Sequence, residues 1–355
     1  MAIMDAPIKI REGEELDNRK VEAFLRDTIP GLEGEFVIKQ FPGGFSNLTY
    51  LITVGEKEMI LRRPPFGKKA KTAHDMSREY KILDALHPVF QYAPKPLAYS
   101  ENTDIMECPF YVMERIPGII LRKDLPEGLS FAPEDADGLC KNFIRILNQL
   151  HCIDYKEIGL DGYGKPEGYV KRQVEGWSSR YRDAKTDDAP DFEKVMQWLQ
   201  EKMPAESKRP CIIHNDYKFD NVVLSPDNPL EIVGILDWEM ATIGDPLMDL
   251  GSSLAYWVDR NDSPELQLTR MMPTTEEGMM TRKELVEYYL ELSGRKIDSI
   301  DFYFCFGLFK LAGIAQQIYY RYYHGQTRDK RFAMLIGAVV ILERAAMQLI
   351  EKSDL

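Results

Sequence analysis

The stretch Ile212–Leu224, IIHNDYKFDNVVL, decides how this chain is read, together with Gly234–Trp238, GILDW, a short way downstream. Two β-like apolar runs flank a loop that carries Asp216; Asn221 follows five positions later, and Asp237 ends the next strand. A magnesium–nucleotide site of the kinase type needs that inventory. Asp216 would orient or deprotonate the accepting hydroxyl, while Asn221 and Asp237 hold the metal on the ATP phosphates. Phosphoryl transfer asks the protein for positioning and for neutralisation of developing charge, so hard oxygen ligands on Mg²⁺ carry most of the catalysis. Taken singly, Asp and Asn also cap turns, and an Asp can simply end a strand. Taken together, with His214 placed as in the H-x-D of kinase catalytic loops, they read as a site. His214 itself reads as a neutral structural residue that ties the loop to neighbouring backbone.

The bulk properties allow this and narrow it. A chain of 355 residues suggests two lobes with ample core. At 44% hydrophobic and 29% charged the composition is that of an ordinary soluble globular protein. The net charge of −12 argues against a nucleic-acid surface, which needs a basic patch. Cys108, Cys140, Cys152, Cys211 and Cys305 form no C-x-x-C pair and no zinc-like cluster, a scatter that fits a reducing compartment. No secretory signal is visible in MAIMDAPIKIREGEELD, and the longest apolar run, Phe332–Leu342, is too short to span a bilayer. It reads as a buried helix. The expectation is a cytoplasmic protein without membrane attachment.

Along the chain, Glu35–Gln40, Leu48–Val54 and Glu58–Arg62 are short runs rich in β-branched and aromatic residues, and Pro109–Ile116 is another strand candidate. Ala73–Leu86 has helical spacing of Met76, Tyr80, Leu83 and Leu86. Then the character changes. Ala136–Leu150 is a strong amphipathic helix, and helices also fit Asp191–Lys202, Arg282–Leu292 and most of Asp301–Glu351. The expected architecture is α+β: a two-lobed protein kinase-like fold, with a small β-rich nucleotide-binding lobe over 1–114 and a larger helical catalytic and acceptor-binding lobe over 115–355. The hinge falls near Glu114–Gly118, where Pro117-Gly118 breaks the strand.

A kinase-like small lobe should supply three further parts. The first is a loop over the phosphates. In FPGGFSNLTY, residues 41–50, Gly43 and Gly44 permit close backbone approach, and Ser46 and Asn47 offer donors; a plain hairpin turn explains the glycines equally well. The second is a cation on a strand. Arg62 and Arg63 lie on opposite faces by alternation, and Arg62 is the favoured one. The third is a carboxylate on the following helix to orient that cation, for which Glu79 fits and Asp75 is the nearest substitute. Further on, Asp245 and Asp249 lie at a helix start, where acids offset the dipole and Pro246 suits the first turn. Asp245 reads as a cap, and Asp249 is placed to tie this helix to the catalytic loop.

With these residues in hand, the chain resembles the aminoglycoside phosphotransferase and choline kinase-like superfamily. HNDYKFDN at 214–221 stands where that family has H-G-D-x-x-x-x-N, ILDW at 235–238 replaces the D-F-G of protein kinases, and GDPLMDL at 244–250 is a family hallmark. GGFSNLTY at 43–50, LRRPP at 61–65, REYKIL at 78–83 and YVMERIPG at 111–118 add to it, so the likeness covers roughly residues 30–260. It is closest to the phosphotransferase domains associated with acyl-CoA dehydrogenases. The resemblance implies ATP- and Mg²⁺-dependent phosphorylation of a hydroxyl, in that branch of a 4-hydroxyacyl-CoA. It implies Asp216 as catalytic base, Asn221 and Asp237 as Mg²⁺ ligands, Arg62 as the phosphate cation with Glu79 as its partner, and the backbone of Glu114 and Ile116 as the adenine contact. One departure is Asn215, which stands where the family has Gly. No dehydrogenase domain follows Leu355, so a separate acyl-CoA dehydrogenase is the expected pathway partner.

The acceptor is expected against the helical lobe. Arg172, Trp177, Arg180 and Tyr181 lie in one predicted helix, and IYYRYY at 318–323 forms a dense aromatic–Arg patch; the arginines could hold CoA phosphates, while the aromatics fit core packing better. Aminoglycosides or choline-like amino alcohols are the alternative acceptors, and they would want carboxylates rather than cations. A nucleotide-binding pseudokinase scaffold is a further alternative, opposed by the intact Asp216, Asn221 and Asp237. A dinucleotide oxidoreductase fails for want of a G-x-G-x-x-G between an early strand and helix.

Overall fold

The computed structural model describes residues 6–42, 47–66 and 75–355. In chain order the elements are α1 (Asn18–Thr28), β1 (Phe36–Gln40), β2 (Leu48–Val54), β3 (Lys57–Arg63), α2 (Met76–Leu86), β4 (Pro96–Ser100) and β5 (Phe110–Glu114). There follow α3 (Pro133–Cys152), α4 (Tyr169–Asp183), α5 (Glu193–Glu201), β6 (Cys211–Ile213), β7 (Val222–Leu224), β8 (Ile232–Ile235) and β9 (Thr242–Gly244). The chain closes with α6 (Pro246–Tyr256), α7 (Pro264–Gln267), α8 (Arg282–Ser293), α9 (Asp301–Tyr323) and α10 (Leu335–Lys352).

These elements fall into two compact units, one of Met1–Ile120 with Asn221–Ala241, the other of Leu121–Asp220 with Thr242–Leu355. The division differs from a single boundary near Glu114, because the β7–β8 hairpin belongs with the small unit. Ile119 and Leu224 exchange backbone hydrogen bonds of 2.9 and 2.8 Å, and the Ile235 N–H donates to the Tyr92 carbonyl at 2.8 Å. Gly118 permits that approach, since a Cβ there would lie 2.3 Å from the Leu224 oxygen.

The first unit is built on an antiparallel sheet of order β1-β2-β3-β5-β4. Alternation on β3 puts Met59 and Leu61 into a core with Val21 and Leu25 of α1 and with Tyr50, Ile52, Phe110 and Val112. It therefore puts Arg62 on the opposite face, opposite Tyr111 of β5 in the strand register. Helix α1 and strand β4 lie outside the elements read from the sequence; α1 is amphipathic, with Val21 and Leu25 buried, and Asp17 caps it by accepting from the Lys20 N–H.

In the second unit α6 is buried along nearly its whole length, from Pro246 to Ala255. It crosses α9 at glycines: a Cβ on Gly307 would lie 2.2 Å from the Gly251 oxygen, and one on Gly251 would lie 2.3 Å from the Tyr303 oxygen. Helix α10 is less buried than its apolar sequence suggests, with only Val339, Leu342 and Ala346 inside. The segment Lys330–Lys352 is long and apolar enough, on length and composition, to cross a membrane, which the shorter run noted above did not indicate.

The α6–α9 crossing sets a test. Gly307→Ala forces two backbones apart and should lower unfolding stability by about 1–3 kcal/mol in a denaturant titration. An unchanged midpoint would show that the crossing has slack.

Candidate active site

The catalytic loop follows from alternation. Leaving β6, the chain sends Tyr217 and Phe219 inward and Asp216 and Lys218 outward. Tyr217 stacks on Phe143 of α3 with centroids 4.3 Å apart and donates its hydroxyl to the Phe143 carbonyl at 2.8 Å; Phe219 packs on Phe143 and Trp257 at 4.7 and 5.4 Å. These two buried rings fix where Asp216 emerges. Lys218 Nζ meets both Asp216 oxygens, at 3.0 and 2.9 Å, and lies 4.6 Å from the centre of the Tyr256 ring. Burial works against the Lys218 charge, but Tyr256 and Asp216 outweigh it and raise its pKa.

Asp249 holds this loop from beneath. Its Oδ2 accepts the His214 N–H and its Oδ1 the Asn215 N–H, each at 2.7 Å, while His151 Nε2 lies 3.1 Å from Oδ2. Burial would raise the Asp249 carboxyl, yet the hydrogen bond and charge of His151, with the His214 N–H, lower it below the ordinary range. Asp249 thus ties α6 to the loop, and Asp245, one turn earlier, caps α6 by accepting the Leu247 N–H at 2.8 Å. His214 lies fully inside, with Nδ1 3.3 Å from the Asp216 N–H. Asn215, in the family's Gly position, has φ +66°. Glycine enters that left-handed region freely and Asn tolerates it, so the replacement keeps the loop conformation. Tyr169 donates to Asn215 Oδ1 at 3.2 Å, and the buried Lys310 holds the Asn215 carbonyl at 2.8 Å.

The first unit carries the second constellation. Arg62 donates to Glu79, lies 2.9 Å from Asp237 Oδ1 and 3.6 Å from Glu239 Oε2. Burial opposes the Arg62 charge, but Glu79 and Asp237 hold its pKa well above normal; burial raises the Glu79 carboxyl to about 7, with Arg62 pulling the other way. Arg63 faces elsewhere, donating to the Pro64 carbonyl and covering the Phe66 ring. Both arginines are buried, so neither sits on a solvated sheet edge. Asp75 is an N-cap, accepting the Ser77 and Arg78 N–H groups, and is no substitute for Glu79.

Asn221 and Asp237 sit at one end of the β7–β8 hairpin: the Leu236 N–H donates to the Asn221 carbonyl at 2.8 Å, so the two residues flank one rung. Asp237 has φ +67° and a side chain 35% exposed. Asp237, with Asn221 at the same end of the hairpin, offers the hard oxygens that a divalent cation of the Mg²⁺ kind takes alongside phosphate and water. Arg62 Nε is buried without a partner among the described residues, a donor available to an anion. Asn47 donates to Glu239 at 2.7 Å. Gly43, Gly44 and Ser46 lie outside the described residues. The Glu114 N–H is taken by the Lys95 carbonyl at 2.9 Å, whereas the Ile116 N–H has no partner among the described residues and its side chain packs on Gly234.

The expected acceptor residues do not gather into a basic pocket. Arg172 folds back onto the carbonyls of Glu167 and Lys165, Tyr181 is buried with its hydroxyl on the Pro190 carbonyl, and Arg180 covers the buried Trp177. Tyr319 donates to Asp188. Lys218, Glu239, Lys310 and His151 are site residues the sequence reading missed. Lys218 alone had a signal, its place two residues after Asp216.

The model of the phosphotransferase enzyme family matches residues 37–272. Human acyl-CoA dehydrogenase family member 11 is 32% identical over 95% of the chain, which spans 43% of that relative. The chain thus spans less than half the length of such curated relatives. Among solved structures, a Ralstonia eutropha protein carrying the provisional name of aminoglycoside phosphotransferase is 27% identical, with a TM-score of 0.78 over 94% of this chain and 99% of its own. Choline kinase from Cryptosporidium parvum, 14% identical, shares the fold with a TM-score of 0.65 over 95% of this chain and 96% of its own. The architecture is the protein kinase-like fold.

The Asp249 clamp is directly testable. Asp249→Asn leaves one of the two backbone N–H groups without an acceptor and should cost roughly 3 kcal/mol of unfolding stability at neutral pH. Because the carboxyl is held below its ordinary range, its contribution is present above the unfolded pKa of about 3.9 and is lost as pH falls beneath it. The gap between variant and wild type should therefore close in acid; a gap independent of pH would remove the charge from the explanation.

Proposed function

The chain belongs to the phosphotransferase enzyme family, and from that premise we propose that it transfers the γ-phosphate of Mg·ATP to a small-molecule hydroxyl, with a 4-hydroxyacyl-CoA as acceptor. The observation that carries the reaction class is Asp216, presented outward by a loop that Tyr217, Phe219 and Asp249 lock in place. Asp216 accepts the proton of the attacking hydroxyl as the new O–P bond forms, and ADP leaves with the electrons of the broken one. Lys218 keeps Asp216 in place and offers a positive charge to the phosphoryl oxygens. Arg62, steadied by Glu79, takes phosphate oxygens of the nucleotide, and the Ile116 N–H and Glu114 carbonyl receive the adenine edge. Asn221 and Asp237 would hold Mg²⁺, which when bound neutralises the β- and γ-phosphate charge. The acyl-CoA acceptor is supported by kinship with acyl-CoA dehydrogenase family members, and a separate acyl-CoA dehydrogenase would then act in the same pathway.

The test is ADP release from Mg·ATP with a 4-hydroxyacyl-CoA, beside a pool of aminoglycosides and choline-like amino alcohols. Release with the CoA ester, lost in Asp216→Asn by about a thousandfold or more while Mg·ATP binding persists, is expected. Release only with the pool would move the acceptor to an amino alcohol. Asp237→Ala should instead weaken nucleotide binding in a manner that depends on the metal; equal loss with and without Mg²⁺ would remove it from the metal site.

A further inference from the structure

The cations absent from the expected acceptor segments converge elsewhere in the second unit. A cavity of about 400 Å³ opens where α5, the loop before β6, the start of α6 and the α8–α9 turn come together, and Lys202, Lys208, Arg209, Arg295 and Lys296 line it. In a chain of net charge −12, none of these five is ion-paired among the described residues. The nearby acids are few and partly engaged. Asp245 is buried and caps α6, Glu206 close by accepts the Gly168 N–H at 2.5 Å, and Asp298 and Leu355 also stand in the lining. Phe302 and Tyr303 supply an apolar wall.

We propose that this cavity binds a small phosphorylated molecule, its phosphate oxygens held by Lys208, Arg209, Arg295 and Lys296. Clustered, unpaired Arg and Lys suit phosphate, the guanidinium by its planar fork and the ammonium as a point charge. The volume is that of a small-molecule site. Binding at this cavity does not rest on the catalytic reading of Asp216.

Inorganic pyrophosphate, titrated calorimetrically into the full chain without Mg²⁺, should bind one site with a Kd below about 1 mM. Lys208→Glu with Lys296→Glu, both exposed positions, should weaken it at least tenfold with unaltered thermal stability. No heat up to 10 mM, or equal binding by wild type and variant, would overturn the site. Adenosine 3′,5′-bisphosphate binding tighter than pyrophosphate would mark a nucleotide-bearing ligand using the Phe302–Tyr303 wall, and equal binding a free polyphosphate. The binding readout needs no turnover, so failure of the kinase reading and failure of this one are separable.

Discussion

One buried carboxylate organises the loop that carries Asp216. Asp249 collects two consecutive backbone N–H groups and an imidazole, and Lys310 and Tyr169 add their hold on the left-handed turn at Asn215. The turn is what lets Asp216 leave the core while Tyr217 and Phe219 enter it. A fully buried charge is expensive unless its lone pairs are satisfied, and here hydrogen bonds satisfy both oxygens. That arrangement explains why α6 is buried from end to end: it is the platform on which the loop stands.

The first unit works by opposite logic. Arg62 is ringed by Glu79, Asp237 and Glu239, and a divalent cation beside these carboxylates would add positive charge there, while a phosphate oxygen would give the Arg62 Nε an acceptor. Asp237, like Asn215, holds a left-handed backbone at the edge of its constellation.

Much of this was legible in the sequence because the chemistry is local. Asp216, Asn221 and Asp237 stand out by type and spacing, and alternation alone separated Arg62 from Arg63. What was not legible depended on long-range packing. His151 and Lys310 belong to helices whose apolar periodicity gives no hint of a polar role, and they reach the loop only through tertiary contact. The arginines of 169–181 looked like ligand residues because sequence cannot show that Arg172 turns back on its own loop. The assignment of the β7–β8 hairpin to the first unit likewise rests on backbone pairing with Ile119 and Tyr92, which no local pattern encodes.

The central claim is direct transfer from ATP to a carbon-bound hydroxyl under the control of Asp216. It is tested most directly by following labelled γ-phosphate from Mg·ATP in the presence of a 4-hydroxyacyl-CoA and locating the label by ³¹P spectroscopy of the products. The account predicts a stable phosphate monoester on the 4-oxygen of the acyl chain. Label found only in free phosphate, or on a side chain of the protein itself, would contradict it.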